Sequence, residues 1–201
     1  MPDVPDHYFT AEPASPADLR PLSVSLAGRV LSVHTARGVF SPDRVDHGTA
    51  VLLRHAPAPP ADGDLLDLGC GWGPLSLTLG LRSPGARVWA VDVNERALDL
   101  VRRNAADLDL GNVTAARPDD VPDDVRFDAL WSNPPIRVGK PALHSMLLQW
   151  LPRLAPGAPA YLVVQRNLGS DSLQTWLGDE GWPATRLASD KGFRVLQVLA
   201  P

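Results

Sequence analysis

Three short segments hold side chains whose types and spacing could do chemistry. The first is Asp67-Leu68-Gly69-Cys70-Gly71-Trp72-Gly73. Glycines at every second position tolerate positive φ and let a ligand touch bare backbone. The dinucleotide fingerprint G-x-G-x-x-G is not met, because Pro74 stands where its third glycine would be. No G-K-[ST] follows, so a triphosphate loop is excluded as well. A glycine loop behind an acidic residue suits a ligand with a cationic, phosphate-free group; it also describes a tight strand-to-helix turn. The second segment is Asp92-Val93-Asn94. An acid at the end of a second strand is placed to accept both hydroxyls of a ribose, and with the loop it points to an adenosine-containing cofactor. Such an acid also serves as a helix cap, and Asn94 competes for that role. The third segment is Trp131-Ser132-Asn133-Pro134-Pro135-Ile136. Consecutive prolines stiffen the backbone. The Asn133 amide carbonyl and the Pro134 main-chain carbonyl could then face one spot. Two acceptors at one spot suit an NH2 group and turn its lone pair toward an electrophile. A plain strand-ending turn is the alternative.

These turns need strands ahead of them and helices behind. Leu65–Leu68 reads as a short buried strand. Pro74 suits the first turn of a helix carrying Leu75, Leu77, Leu79 and Leu81. Arg87–Val91 is a second strand, and Asn94 caps a helix whose apolar positions Ala97, Leu98, Val101 and Ala105 keep a helical period. Val113–Ala115 and Phe127–Trp131 are the third and fourth strands, Leu143–Leu154 a helix and Ala158–Gln165 a fifth strand. Ser172–Gly178 is helical, and Arg186–Ala188 with Phe193–Leu199 form a closing hairpin around Ser189-Asp190-Lys191-Gly192. Alternation of this kind predicts an α/β doubly wound, mostly parallel sheet with an antiparallel strand at or near one edge. Its ligands would sit beyond the carboxyl ends of the strands, near the switch point.

Upstream, prolines at 2, 5, 13, 16 and 21 predict an irregular arm. Ser23–Val39 predicts a small hairpin around Ala27-Gly28, and Asp46-His47-Gly48-Thr49 offers capping chemistry before Ala50–Arg54. The stretch Ala56–Gly63 reads as a stiff, proline-rich connector. Residues 1–60 are therefore expected as arm, hairpin and covering helix, and 61–201 as the α/β core of one compact domain.

The 201 residues suit one domain, which buries enough surface to need no staples. A single cysteine, Cys70, excludes an internal disulfide and a multi-cysteine zinc site. The five histidines show no ligand spacing, so no metal is expected. No apolar run reaches the ~18 residues of a membrane span, and the acidic start MPDVPDHYF lacks the layout of a signal peptide. A cytoplasmic protein without a membrane partner is the expectation. The net charge of −4 argues against tight non-specific nucleic-acid binding, though a local basic face is compatible with it.

Taken together, the Asp67–Gly73 loop, Asp92 and Asn133-Pro134-Pro135 resemble the motifs of class I S-adenosylmethionine-dependent methyltransferases that act on amino groups. The likeness extends to His7-Tyr8-Phe9, Gly38-Val39-Phe40-Ser41, Asp46 with Gly48-Thr49, Asn133–Lys140 (NPPIRVGK) and Lys191-Gly192-Phe193-Arg194-Val195. Those segments resemble the small methyltransferase domain family, which includes 16S ribosomal RNA guanine-N2 methyltransferases and compact archaeal relatives. The resemblance implies a seven-stranded Rossmann-like sheet and S-adenosyl-L-methionine as cofactor. It implies that Asp67, Gly69, Cys70, Gly71 and Gly73 lie along the methionine part, that Asp92 binds the ribose and that Val93 and Asn94 flank the adenine. Asp119 and Asp120 compete to accept the adenine amino group. Asn133 and Pro134 would hold the target amine with Pro135 stiffening the turn, and no strong general base is required.

One departure concerns substrate. Many relatives place an aromatic residue after Asn-Pro-Pro; here it is Ile136, which keeps an apolar contact without stacking. Phe40 is either a lid or stacking residue, or a core side chain. Arg137 and Lys140 would contact phosphates of an RNA or simply open a solvated helix. The reaction implied is methylation of the guanine N2 amine in 16S ribosomal RNA. Alternatives are another amine or amide acceptor (protein glutamine, adenine N6, a small molecule) and a non-catalytic cofactor- or RNA-binding module.

Overall fold

A computed structural model describes residues 18–201. The irregular arm was expected over residues 1–22; residues 1–17 of it, with His7-Tyr8-Phe9, lie outside the described residues, as does the Arg137 side chain. Its end is not irregular: Arg20–Leu22 open a strand of a two-stranded hairpin, where each strand keeps an unpaired edge that tolerates Pro21. The described chain opens with an antiparallel hairpin of β1 (Arg20–Leu26) and β2 (Arg29–Thr35). Its turn places Ala27 at φ 50° and Gly28 at φ 77°, the doubly left-handed backbone that two-residue hairpins prefer. Helix α1 (His47–His55) follows, capped by Asp46, whose carboxylate accepts from the amides of Gly48 and Thr49.

The main sheet is built from β3 (Asp64–Leu68), β4 (Arg87–Val91), β5 (Val113–Ala116), β6 (Ala129–Ser132), β7 (Pro159–Gln165), β8 (Ala184–Asp190) and β9 (Phe193–Leu199). Its order is β5-β4-β3-β6-β7-β9-β8. All pairs from β5 to β7 are parallel, and β9 runs antiparallel to both β7 and β8. The chain winds outward from β3 to β5, then returns to the other side of β3 as β6. The switch point thus lies between β3 and β6, where ligands of open α/β sheets bind.

Helices α2 (Pro74–Arg82), α3 (Glu95–Asp107), α4 (Lys140–Trp150) and α5 (Ser170–Asp179) complete the fold. Alternate residues of a strand face opposite sides. Leu66 and Leu68 accordingly pack with Leu143 and Leu147 of α4 and Leu173 and Leu177 of α5. Leu65 packs on the opposite side, with Val51 and Leu52 of α1 and Leu75 and Leu79 of α2. The hairpin is not part of the main sheet. Its Leu26 and Val33 pack on Trp72, Leu77, Ala97 and Leu100, and Asn104 of α3 pins it. The buried Asn104 Nδ2 donates to the His34 carbonyl at 2.9 Å and the Trp72 carbonyl at 3.1 Å. Its Oδ1 accepts from the His34 amide at 2.6 Å.

The last helix and β8 run longer than the sequence reading, over Ser170–Asp179 and Ala184–Asp190 in place of Ser172–Gly178 and Arg186–Ala188, and two further boundaries differ for local reasons. The helix expected over Leu143–Leu154 begins earlier, at Lys140, with Pro141 in its first turn, and gives way to a 3-10 turn at Leu151–Arg153. Pro152 lacks the amide that an α-helix would use there. Phe127, expected to open the fourth strand, makes only an isolated bridge with Leu154, and β6 begins at Ala129. No helix among the described residues is long and apolar enough to cross a membrane.

Candidate active site at the switch point

The glycine loop is fastened to the ends of three neighbouring strands. The amides of Gly69 and Cys70 both donate to the Val91 carbonyl at the end of β4, at 2.8 and 3.0 Å. Ser132 Oγ, at the end of β6, donates to the Leu68 carbonyl at 2.7 Å. Gly69 and Gly71 take φ of 78° and 54°, conformations that side chains resist. A Cβ at Gly71 would meet no atom within 4 Å, and one at Gly69 would touch only Pro135 Cδ at 3.9 Å. The missing side chains therefore leave open space over bare backbone, a cradle for a ligand.

Two acids lie under and beside this cradle. Asp67 is fully buried. Its Oδ2 accepts from Ser76 through the amide at 2.8 Å and through the hydroxyl at 2.5 Å. Its Oδ1 has no partner. Burial pushes the carboxyl up to about 7, against the opposing pull of the Ser76 hydrogen bonds and with help from the nearby Asp92 charge. Asp92 accepts from the Gly71 amide at 2.9 Å and the Asn94 amide at 3.0 Å, one on each oxygen. Burial raises its carboxyl too, while the backbone amides of Asn94, Gly71 and Val93 work the other way. Each oxygen keeps a further lone pair for a ligand hydroxyl.

Asn133 follows β6 across the switch point. Its Nδ2 donates to Asp46 Oδ2 at 2.9 Å and Thr49 Oγ1 at 3.0 Å. The same Asp46 oxygen caps α1. The Pro134 carbonyl accepts from the Ile136 amide at 2.9 Å as the chain enters a 3-10 turn over Ile136–Val138. One of its two lone pairs is thus already engaged. Three donors pin the segment before Asp46 above the loop. Arg96 Nη1 donates to the Arg37 carbonyl at 2.8 Å, Asn94 Nδ2 to that of Gly38 at 2.8 Å and Trp72 Nε1 to that of Ser41 at 3.1 Å. Phe40 sits on this segment, 39% exposed.

An open, shallow cleft results. Of the residues singled out from sequence, it brings together Phe40, Gly69, Cys70, Gly71 and Asn133. Asp67, Gly73, Asp92, Pro134 and Pro135 stand behind or beside that wall. Asn94 is fully buried, and its Oδ1 accepts from the amides of Arg96 and Ala97. Its side chain is occupied with capping α3, so any part it takes beside a ligand falls to its backbone. Val93 is 44% exposed next to it. Asp119 and Asp120 are both exposed, in a 3-10 turn after β5. Ile136 packs partly on the α4 core, and Lys140 is exposed at the start of α4. Cys70 is buried, with its thiol raised well above the ordinary range by burial and by Asp92 and Asp67, the surroundings of a packing cysteine. Among the described residues no group of three or more His, Cys, Asp or Glu could hold a metal ion.

Asp46 and Thr49 also line the cleft, although the sequence offered them as a helix start and as part of the family likeness, with no role at the site. The usable signal was a capping carboxylate with acceptor capacity beyond what the cap consumes.

Comparison with known proteins agrees with this arrangement. The family model of the methyltransferase small domain matches residues 30–197. The uncharacterized protein YbxB of Bacillus subtilis is 30% identical over 196 residues, covering 96% of this chain and 98% of that protein. Ribosomal RNA small subunit methyltransferase C of Pseudomonas aeruginosa is 36% identical over 192 residues, 92% of this chain. The chain spans only 56% of that relative's length. Among solved structures, the Thermus thermophilus 16S rRNA N2 G1207 methyltransferase (RsmC), in complex with AdoMet and guanosine, superposes with a TM-score of 0.78 at 25% identity, over 94% of this chain and 52% of that one. A Pyrococcus furiosus methyltransferase, at 19% identity and a TM-score of 0.59, shares the fold. With its glycine cradle and Asn-Pro-Pro turn meeting at one switch point, the chain belongs to the methyltransferase small domain family.

Proposed function

We propose that this chain transfers a methyl group from S-adenosyl-L-methionine to the exocyclic N2 amine of guanine in small-subunit ribosomal RNA, in the cytoplasm. The observation that carries the reading is the meeting of the open glycine cradle and Asn133 in one cleft. When bound, the cofactor supplies an activated methyl on a sulfonium. The residues of the chain fit such a cation: Asp67 keeps an unpartnered oxygen beneath the loop, and Asp92 retains lone pairs for ribose hydroxyls. Asn133 Oδ1, with the free lone pair of the Pro134 carbonyl, accepts the two amine protons and turns the nitrogen lone pair inward. Placing nucleophile and methyl in line supplies most of the acceleration. The proton leaves after the methyl arrives, so no buried base is required. Phe40, on its pinned segment, covers the acceptor side.

Despite the acidic net charge, three basic groups stand at the same end of the sheet where an RNA phosphate could meet them. Lys140 follows β6, Arg166 follows β7, and Lys191 precedes the antiparallel β9. The Arg166 amide donates to the Gly192 carbonyl at 2.8 Å, which sets the last two turns side by side. The deciding experiment incubates purified protein and labelled cofactor with unmodified 30S particles and with free 16S RNA, then digests the RNA and identifies the nucleoside. Labelled N2-methylguanosine is the expected product. Label in another nucleoside or in protein would overturn the acceptor assignment, and cofactor binding with no transfer at all would overturn the enzyme reading.

A further inference from the structure

The side-chain amide of Asn133 has two nearly equivalent ends, and only its oxygen can receive an amine proton. Something must choose which end faces the cleft. Both Nδ2 hydrogens are taken, by Asp46 Oδ2 at 2.9 Å and Thr49 Oγ1 at 3.0 Å. A threonine hydroxyl could serve either end, because it both donates and accepts. An ionised carboxylate only accepts. Turning the amide over would set Asn133 Oδ1 against Asp46 Oδ2, two acceptors in contact. No described residue donates to Oδ1 in the observed orientation, which leaves it free toward the cleft that Asp46, Thr49 and Asn133 share.

Resting on the function proposed above, we infer that Asp46 is the positioning residue for the target amine: from the cap of α1 it holds the Asn133 amide with its acceptor end turned to the substrate, and Thr49 fixes its rotation. The carboxylate is itself closely held. Oδ2 takes the amides of Gly48 and Thr49 at 2.7 and 3.3 Å in addition to Asn133. A Cβ at Gly48 would come within 3.0 Å of both Asp46 Oδ2 and Phe193 Cε1. The absence of a side chain at 48 is what lets the carboxylate and the Phe193 ring close on the helix start. Through this contact the segment ahead of the core contributes directly to orienting the catalytic turn.

The experiment uses Asp46→Ser, Asp46→Asn, Thr49→Val and Asn133→Ala in the full chain. Serine still caps a helix but is too short to reach both α1 and Asn133. Asp46→Ser should lower kcat about ten- to a hundredfold, as loss of orientation at a reacting centre does, with cofactor Kd and Tm nearly unchanged. Asp46→Asn, which keeps an oxygen at the Oδ2 position, should recover most of that loss. Adding Asp46→Ser to Asn133→Ala should change kcat no further. Full kcat in Asp46→Ser, or an equal loss on the Asn133→Ala background, would overturn the inference. A second readout does not depend on turnover: the Asn133 side-chain NH2 protons should exchange slowly in the native protein and rapidly in Asp46→Ser/Thr49→Val. Fast exchange in the native protein would overturn the inference even if methylation occurs. Slow exchange without methylation would instead overturn the function and leave the orientation standing.

Discussion

The Gly71 amide donates to Asp92 Oδ2 at 2.9 Å, so the glycine cradle and the acid beside it form one unit. Asp92 also accepts from the Asn94 amide, which links the start of α3 to the same carboxylate. Replacing Asp92 by Ala removes the acceptor for both amides and the one proposed for the ribose. Cofactor affinity should fall by about 2 kcal/mol or more, roughly thirtyfold in Kd. Calorimetric titration with S-adenosyl-L-methionine measures it; a Kd within threefold of the native value would contradict the assignment.

Asp67 makes a prediction in pH. Its buried carboxyl is pushed up to about 7, whereas in the unfolded chain it titrates near 3.9. Between those values the folded state holds a proton that the unfolded state has released, so stability falls as pH rises through that window. The contribution is at most about 4 kcal/mol, from three units at 1.36 kcal/mol each. Urea midpoints at pH 5 and pH 8 should show the ligand-free protein weakening more than Asp67→Asn does. The same drop in both proteins would mean that Asp67 is not the group responsible.

Asn104 joins hairpin to core through three hydrogen bonds. Asn104→Leu keeps the volume and leaves the His34 and Trp72 groups without partners. The expected cost is about 3 kcal/mol, a fall in Tm of roughly 6–12 °C. A thermal melt within 2 °C of native would show that the hairpin is held by its apolar face alone.

Much of this architecture was legible from residue order. Short apolar runs leading into the glycine loop at Gly69, into Asp92 and into Asn133 marked three parallel strand ends, because buried strands and glycine or proline turns leave strong local signatures. The caps at Asn94 and Asp46 were readable for the same reason. What escaped was non-local. Asn104 reads as an ordinary helix position, and only the packing of α3 against β2 gives it work. Asp46 reads as a cap, since its distance from Asn133 in sequence hides a contact that the sheet switch creates. The end of α4 was set by Pro152, a local signal that apolar periodicity outweighed.

The basic groups at the carboxyl end of the sheet give a prediction in salt. If Arg166 and Lys191 meet phosphates, Arg166→Ala and Lys191→Ala should each weaken RNA binding and lower the slope of log K against log salt by roughly 0.7–0.9. Cofactor affinity should not change. Filter binding between 50 and 200 mM salt reads the slope, and an unchanged slope in both variants would place the RNA elsewhere.

The turnover of Asn133→Ala, measured beside its cofactor affinity, decides whether Asn133 holds the target amine. Loss of the amide acceptor should lower kcat by at least about a hundredfold, with Kd for S-adenosyl-L-methionine within threefold of native. A variant that methylates RNA at the native rate would show that Asn133 does not hold the amine.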